Sequence, residues 1–283
     1  MTTPSATATP ATGTPALPAA SPEDRALLAA VAEIAAEAGR ALEARYSTAS
    51  RPADRHDMFR TGTADGQVSL DILRPALTAL RPEARWLTEA YETAELPPGE
   101  WWVVDEVEGN VNHVHGLPEW AVTVALVRDG RTVLAVIRQP VGDLTYTALR
   151  GGGARLNGEV LKVSAKTDLD AAIVVTGQAE ADQEATYRRI GQSITAMLGS
   201  ALLVRASVPS TFPMLLVAAG HHDVFWQYEP VLPGVAAGAL MVTEAGGVVT
   251  RIDGTPWTPG ADTVLAAAPA LHDPAVRVLT TIA

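Results

Sequence analysis

Three apolar runs, 120–127, 132–138 and 143–148, follow one another with only Arg128-Asp129-Gly130 and Pro140-Val141-Gly142 between them. Short runs broken by tight, glycine-containing turns predict an antiparallel meander. Beyond Gly151-Gly152-Gly153 the pattern changes to an alternation of strand 171–176, helix about 182–198, strand 201–205, helix about 210–220, strand 223–227, helix about 234–246 and strand 263–267. A meander followed by α/β alternation restricts the chain to a layered α+β or α/β architecture. The expected division is an N-terminal α+β subdomain over 22–155, holding an antiparallel sheet, and a C-terminal α/β subdomain over 156–283.

Upstream of the meander, Ser21-Pro22-Glu23-Asp24 sets a capping hydroxyl before a proline and two acids, the signature of a helix start. Leu27, Val31, Ala35, Ala38 and Leu42 then recur at helical spacing, predicting an amphipathic helix to about Tyr46. Residues 51–66 read as polar and irregular, and 68–80 as a helix interrupted at Pro75. Residues 85–87 and 101–104 read as strands. Residues 1–21, rich in Thr, Ala and Pro and with no basic or continuously apolar segment, read as a disordered tail and not as a signal peptide.

Charge narrows the partners. The formal net charge of -11, with only Lys162 and Lys166 as lysines, provides no basic footprint for nucleic acid. No apolar run is long enough to suggest a membrane span, so the expectation is a cytoplasmic protein with a small-molecule substrate. The absence of cysteine excludes thiolate chemistry.

The chemistry is concentrated in Trp102-Val103-Val104-Asp105-Glu106-Val107-Glu108-Gly109-Asn110, a strand that delivers three carboxylates into a glycine turn. Hard divalent cations take oxygen ligands of this kind, although a lone acidic triplet is more often a solvated loop. His113 and His115 follow at i, i+2. Zinc ligation by that pair is not expected, and His113 is instead a candidate acid/base in the pocket. His221 and His222 read as a helix cap and a surface residue.

The acidic segment resembles the D-P-I-D-G-T signature of the inositol monophosphatase family. Four other stretches resemble that family in order and spacing: Trp86-Leu87-Thr88-Glu89, Trp120–Leu126, Tyr146–Gly158, and Val235–Gly247 with its T-E-A-G-G turn. The likeness covers roughly residues 22–283 and implies the family's layered αβαβα sandwich. It also implies that Glu89, Asp105 and the Val107 carbonyl hold one Mg²⁺, and that the second Mg²⁺ would use Asp105, Glu108 and position 234, which is Gly234 here. The resemblance therefore implies one Mg²⁺ or none, and a homodimer. The motif threonine is replaced by Asn110, a family aspartate lies opposite Gly66, the pocket loop reads Val208-Pro209-Ser210, and Gln227 stands for a glutamate. These changes make an inositol-like substrate unexpected.

The sequence-based expectation is a divergent member turned to acid/base chemistry such as cyclisation, isomerisation or elimination, in bacterial specialised metabolism. Glu89, Asp105, Glu108, Asn110 and His113 would be catalytic, and Gly109, Ser210, Trp226, Gln227, Tyr228 and Glu229 would bind substrate. Crowded carboxylates lacking a full metal complement would raise one another's pKa and yield a general acid. The alternatives are a Mg²⁺-dependent phosphomonoesterase on a small non-inositol ester, or a non-catalytic binding module.

Overall fold

A computed structural model describes residues 20–88, 92–178 and 183–282. Of the expected tail, residues 1–19 fall outside the described residues. Helix α1 (Pro22–Glu43) starts where the cap predicts it, with Ser21 Oγ accepting from the Asp24 N–H at 3.0 Å. Helix α2 (Arg55–Leu80) corrects the reading of 55–66 as irregular and of Pro75 as a break, because it runs through both without interruption, leaving only 51–54 irregular. Asp54 caps it by accepting from the Asp57 N–H at 2.8 Å. Met58, Gly62, Asp65, Ser69, Leu73 and Leu77 form its buried face. That stripe includes a glycine, a serine and an aspartate, so an apolar-only count passes over it.

Strand β1 (Arg85–Trp86) pairs in parallel with β2 (Glu100–Glu108). A short helix α3 (Asn110–Val114) follows, and then the meander β3 (Ala121–Arg128), β4 (Arg131–Gln139) and β5 (Leu144–Leu149). Two further strands, β6 (Gly153–Leu156) and β7 (Glu159–Val160), complete a seven-stranded sheet in simple chain order. The second sheet holds β8 (Ile173–Thr176), β9 (Leu203–Ala206), β10 (Val224–Tyr228), β11 (Val248–Thr250) and β12 (Thr263–Ala267), in the order β11-β12-β10-β8-β9. Helices α4 (Glu184–Leu198), α5 (Thr211–Ala218), α6 (Leu232–Glu244) and α7 (Pro269–Leu279) connect and cover it.

Strand alternation assigns the layers. Trp102, Val122, Val124 and Leu126 face α1 and α2, whereas Trp101, Val103 and Ala125 face the other way, onto α5 and α6. The far side of α5 and α6 meets β8, β10 and β12, whose outer face carries Trp226, Leu265 and Ala267 against α4 and α7. The result is the αβαβα sandwich expected from the sequence. Among the described residues, no helix is long and apolar enough to cross a membrane.

Candidate active site

Residues three apart on a regular strand point to opposite faces, so Asp105 and Glu108 could not meet on an ideal β2. Asp105 shares the α5–α6 face with Trp101 and Val103, and the pairing of β2 with β3 shifts register after it, which turns Glu108 to the same side. There they hydrogen-bond one another. Glu108 is only 3% exposed, and its Oε1 accepts from the Thr211 N–H at the start of α5, at 3.1 Å. Burial first, and the adjacent Asp105 charge second, push the Glu108 carboxyl well above the usual carboxylate range. Burial also raises Asp105, whose Oδ1 accepts from the Val107 N–H at 3.1 Å.

Gly234, in the first turn of α6, faces this pair. A Cβ there would lie 3.8 Å from Glu108 Oε2 and 3.9 Å from Oε1. Its carbonyl accepts from Thr211 Oγ1 at 2.9 Å, which ties the starts of α5 and α6 together beneath the acids. Gly109, which ends the acidic strand, has φ +82, and a Cβ would come within 2.7 Å of the Glu119 carbonyl and 2.9 Å of Pro209 Cγ. Only glycine suits that position. Asn110 is exposed beside it, and its side chain lies against Gly62 of α2.

Several expected site residues lie elsewhere. His113 is buried, not free in a pocket: Nε2 contacts the Leu42 carbonyl at 3.2 Å, Nδ1 lies 3.1 Å from Asp65, and Trp120 meets the ring edge-on at 4.6 Å. Burial opposes ionisation of Asp65, but its contacts with His113 and with Arg45 at 2.5 Å outweigh this and hold its carboxyl below the usual range. Trp226, Gln227 and Tyr228 cannot act as one binding surface, since adjacent strand residues face opposite ways. The indole of Trp226 donates to Ser193 Oγ at 2.9 Å in the outer core, and Tyr228 is buried beneath the Arg189 guanidinium at 4.5 Å. Only Gln227 faces Ser210, whose hydroxyl donates to Oε1. Glu229 is exposed, with its N–H donating to the Asp262 carbonyl at 2.7 Å. Glu89 lies outside the described residues.

Sequence reasoning passed over Glu106. By strand parity it points away from Asp105, toward α2, and its Oε1 lies 3.0 Å from where a Gly66 Cβ would sit. It lines a cavity of about 140 Å³ with Arg74, Trp86, Glu92 and Trp102, and burial raises its pKa. The alternation of Trp102, Val104 and Glu106 was the available signal.

The inositol monophosphatase family model matches residues 23–282. This chain belongs to that family. An inositol-1-monophosphatase of Rhizobium meliloti is 35% identical over 184 residues, 65% of this chain and 69% of the relative. The Nus factor SuhB of Escherichia coli K12 is 32% identical over 230 residues, 78% and 83% of the two chains. Among solved structures, the inositol monophosphatase of Anabaena superposes with a TM-score of 0.78 at 25% identity, covering 92% of this chain and 97% of that one. Mycobacterium tuberculosis SuhB superposes with a TM-score of 0.76 at 26% identity, covering 93% and 98%. The inositol monophosphatase family is one of Mg²⁺-dependent enzymes acting on small molecules. These likenesses overturn the expectation of a repurposed cyclase, isomerase or lyase of specialised metabolism: the relatives are named inositol monophosphatase or SuhB, and they favour the phosphatase reading.

Proposed function

We propose that this member of the inositol monophosphatase family hydrolyses a small phosphate monoester other than an inositol phosphate, assisted by a single hard divalent cation. The observation that supports this most directly is the irregularity in β2 that brings Asp105 and Glu108 together on one buried face. Two carboxyl groups in contact, drawing no ion pair from Arg or Lys among the described residues, form a donor set suited to Mg²⁺. The arrangement does not fit a second cation. Gly234 offers no ligand, the Thr211 N–H occupies one Glu108 oxygen, and no three His, Asp or Glu among the described residues form a metal-holding group.

In this reading Asp105, Glu108 and the Val107 carbonyl would hold the cation, and the family resemblance adds Glu89 to the ligand set. When bound, Mg²⁺ supplies Lewis-acid polarisation of a phosphoryl oxygen. Thr211 fixes the direction of the Glu108 carboxyl, and the carboxamide of Asn110 can orient a water or ester oxygen by hydrogen bonding. Gly109 gives the turn an approachable backbone. The packing of Pro209 against Gly109 narrows the space above the turn, and the Ser210–Gln227 bond presents a neutral polar pair there. A ring studded with hydroxyls is poorly matched to such a surface. We expect a homodimer, as the family resemblance implies.

The test is phosphate release from sugar, nucleotide and polyol phosphates with Mg²⁺ and with EDTA. At least one non-inositol ester should be hydrolysed only with the metal, and Asp105→Asn should reduce the rate about a hundredfold or more. No release from any ester in either condition would refute the proposal and leave the binding-module reading.

A further inference from the structure

A cavity of about 590 Å³ lies away from the acidic pair. Helix α5 separates the two. Its first residue, Thr211, points its N–H at Glu108, whereas Phe212 and Leu216 line the cavity. The ends of β9 and of the meander complete the wall, contributing Arg205 and Ser207 from one side and Leu144 from the other. A volume of this size is typical of small-ligand pockets, which run from about 300 to 1,000 Å³.

Two polar groups in this wall lack partners. Arg205 is exposed and makes no ion pair among the described residues, and the guanidinium is built to grip planar or tetrahedral oxyanions through paired N–H donors. His222 corrects the expectation of a surface residue: it is only 7% exposed, lines the same cavity, and its Nδ1 has no hydrogen-bond partner. An unpaired ring nitrogen in so buried a residue is uncommon. Burial first, and then the nearby Arg205 charge, lower its pKa to about 4, so the ring is neutral near pH 7 and free to donate one hydrogen bond. The remaining lining is largely aliphatic and aromatic, and Glu119 stands exposed on the rim.

We propose that this cavity is a second ligand site, taking a small oxyanion carried on an apolar body, with the anionic end held by Arg205, Ser207 and His222 and the body against Leu144, Phe212 and Leu216. The carboxylate of Glu119 disfavours ligands with negative charge at both ends. The site is independent of the phosphatase reading, since it shares no side chain with the acidic pair.

Benzoate and benzylamine, alike in size and opposite in charge, test it by isothermal titration on the full chain. Phenylphosphonate serves as a third probe to separate a preference for phosphate-like from carboxylate-like groups. Benzoate, phenylphosphonate or both should bind and benzylamine should not. Arg205→Gln should weaken the binding about tenfold or more. Ala206→Trp, placed on the exposed strand end that lines the cavity, should block it, and Asp105→Asn should leave benzoate affinity unchanged. Equal binding of benzoate and benzylamine, wild-type affinity in both cavity variants, loss of benzoate binding in Asp105→Asn, or no binding of either anion at millimolar concentration would each overturn the proposal. Phosphate-ester hydrolysis could fail without affecting any of these results.

Discussion

Gly234→Asp places a third carboxyl beside the Asp105–Glu108 pair without a steric conflict, because a Cβ at 234 would lie 3.8–3.9 Å from the Glu108 oxygens. The effect should therefore be electrostatic. Two like charges about 4 Å apart repel by about 4 kcal/mol at an effective dielectric near 20. Position 234 lies in the first turn of α6, where an acid gains about 0.3–1 kcal/mol from the helix dipole and loses the conformational cost of glycine. Those gains offset only part of the repulsion. The expected net loss is about 2–3 kcal/mol at pH 8 in EDTA, shrinking at pH 5 as the new carboxyl protonates. A divalent cation bound by the enlarged set should reverse it, contributing about 2.7 kcal/mol at a hundred times its Kd. Urea unfolding of the parent and variant, with Mg²⁺ and with EDTA, reads each quantity. A variant as stable as the parent in EDTA and indifferent to Mg²⁺ would refute the reasoning.

Two other perturbations test separate parts of the account. Glu108 has a raised folded pKa, so the folded state holds its proton more tightly than the unfolded one. The stabilisation from that proton is complete below the ordinary carboxylate pKa and disappears as pH rises through the raised value. Glu108→Gln should therefore flatten the fall in stability above about pH 4 that the parent shows in EDTA; an unchanged slope in urea melts at several pH values would contradict this. His113→Ala should cost about 2–4 kcal/mol by unfolding, because it leaves a cavity against Trp120 and removes a partner from buried Asp65. A variant of undiminished stability whose rate–pH profile alone changes would return His113 to a catalytic role.

The layers could be read from the sequence because they rest on local signals: turn glycines, strand alternation and the Ser21 cap. The site was only partly legible. That Asp105 and Glu108 are three residues apart is plain in the sequence, but their meeting depends on a register shift against β3 that no local pattern encodes. Trp226 and Tyr228 looked like pocket aromatics because they neighbour Gln227, yet strand parity places them in the outer core. The first half of helix α2 was hidden because its buried face there is made of Gly62 and Asp65 more than of leucines, and Asp65 is buried only because Arg45 and His113 reach it. His222 looked like a surface residue at a helix end, and only the tertiary structure closes a cavity wall over it.

The central claim is that this site accommodates one hard cation and not two. Equilibrium dialysis of the full chain against Mn²⁺, with bound metal counted per chain, tests it most directly. One Mn²⁺ per chain, abolished by Asp105→Asn, is the predicted result. Two ions of comparable affinity, none, or one that survives Asp105→Asn would contradict it.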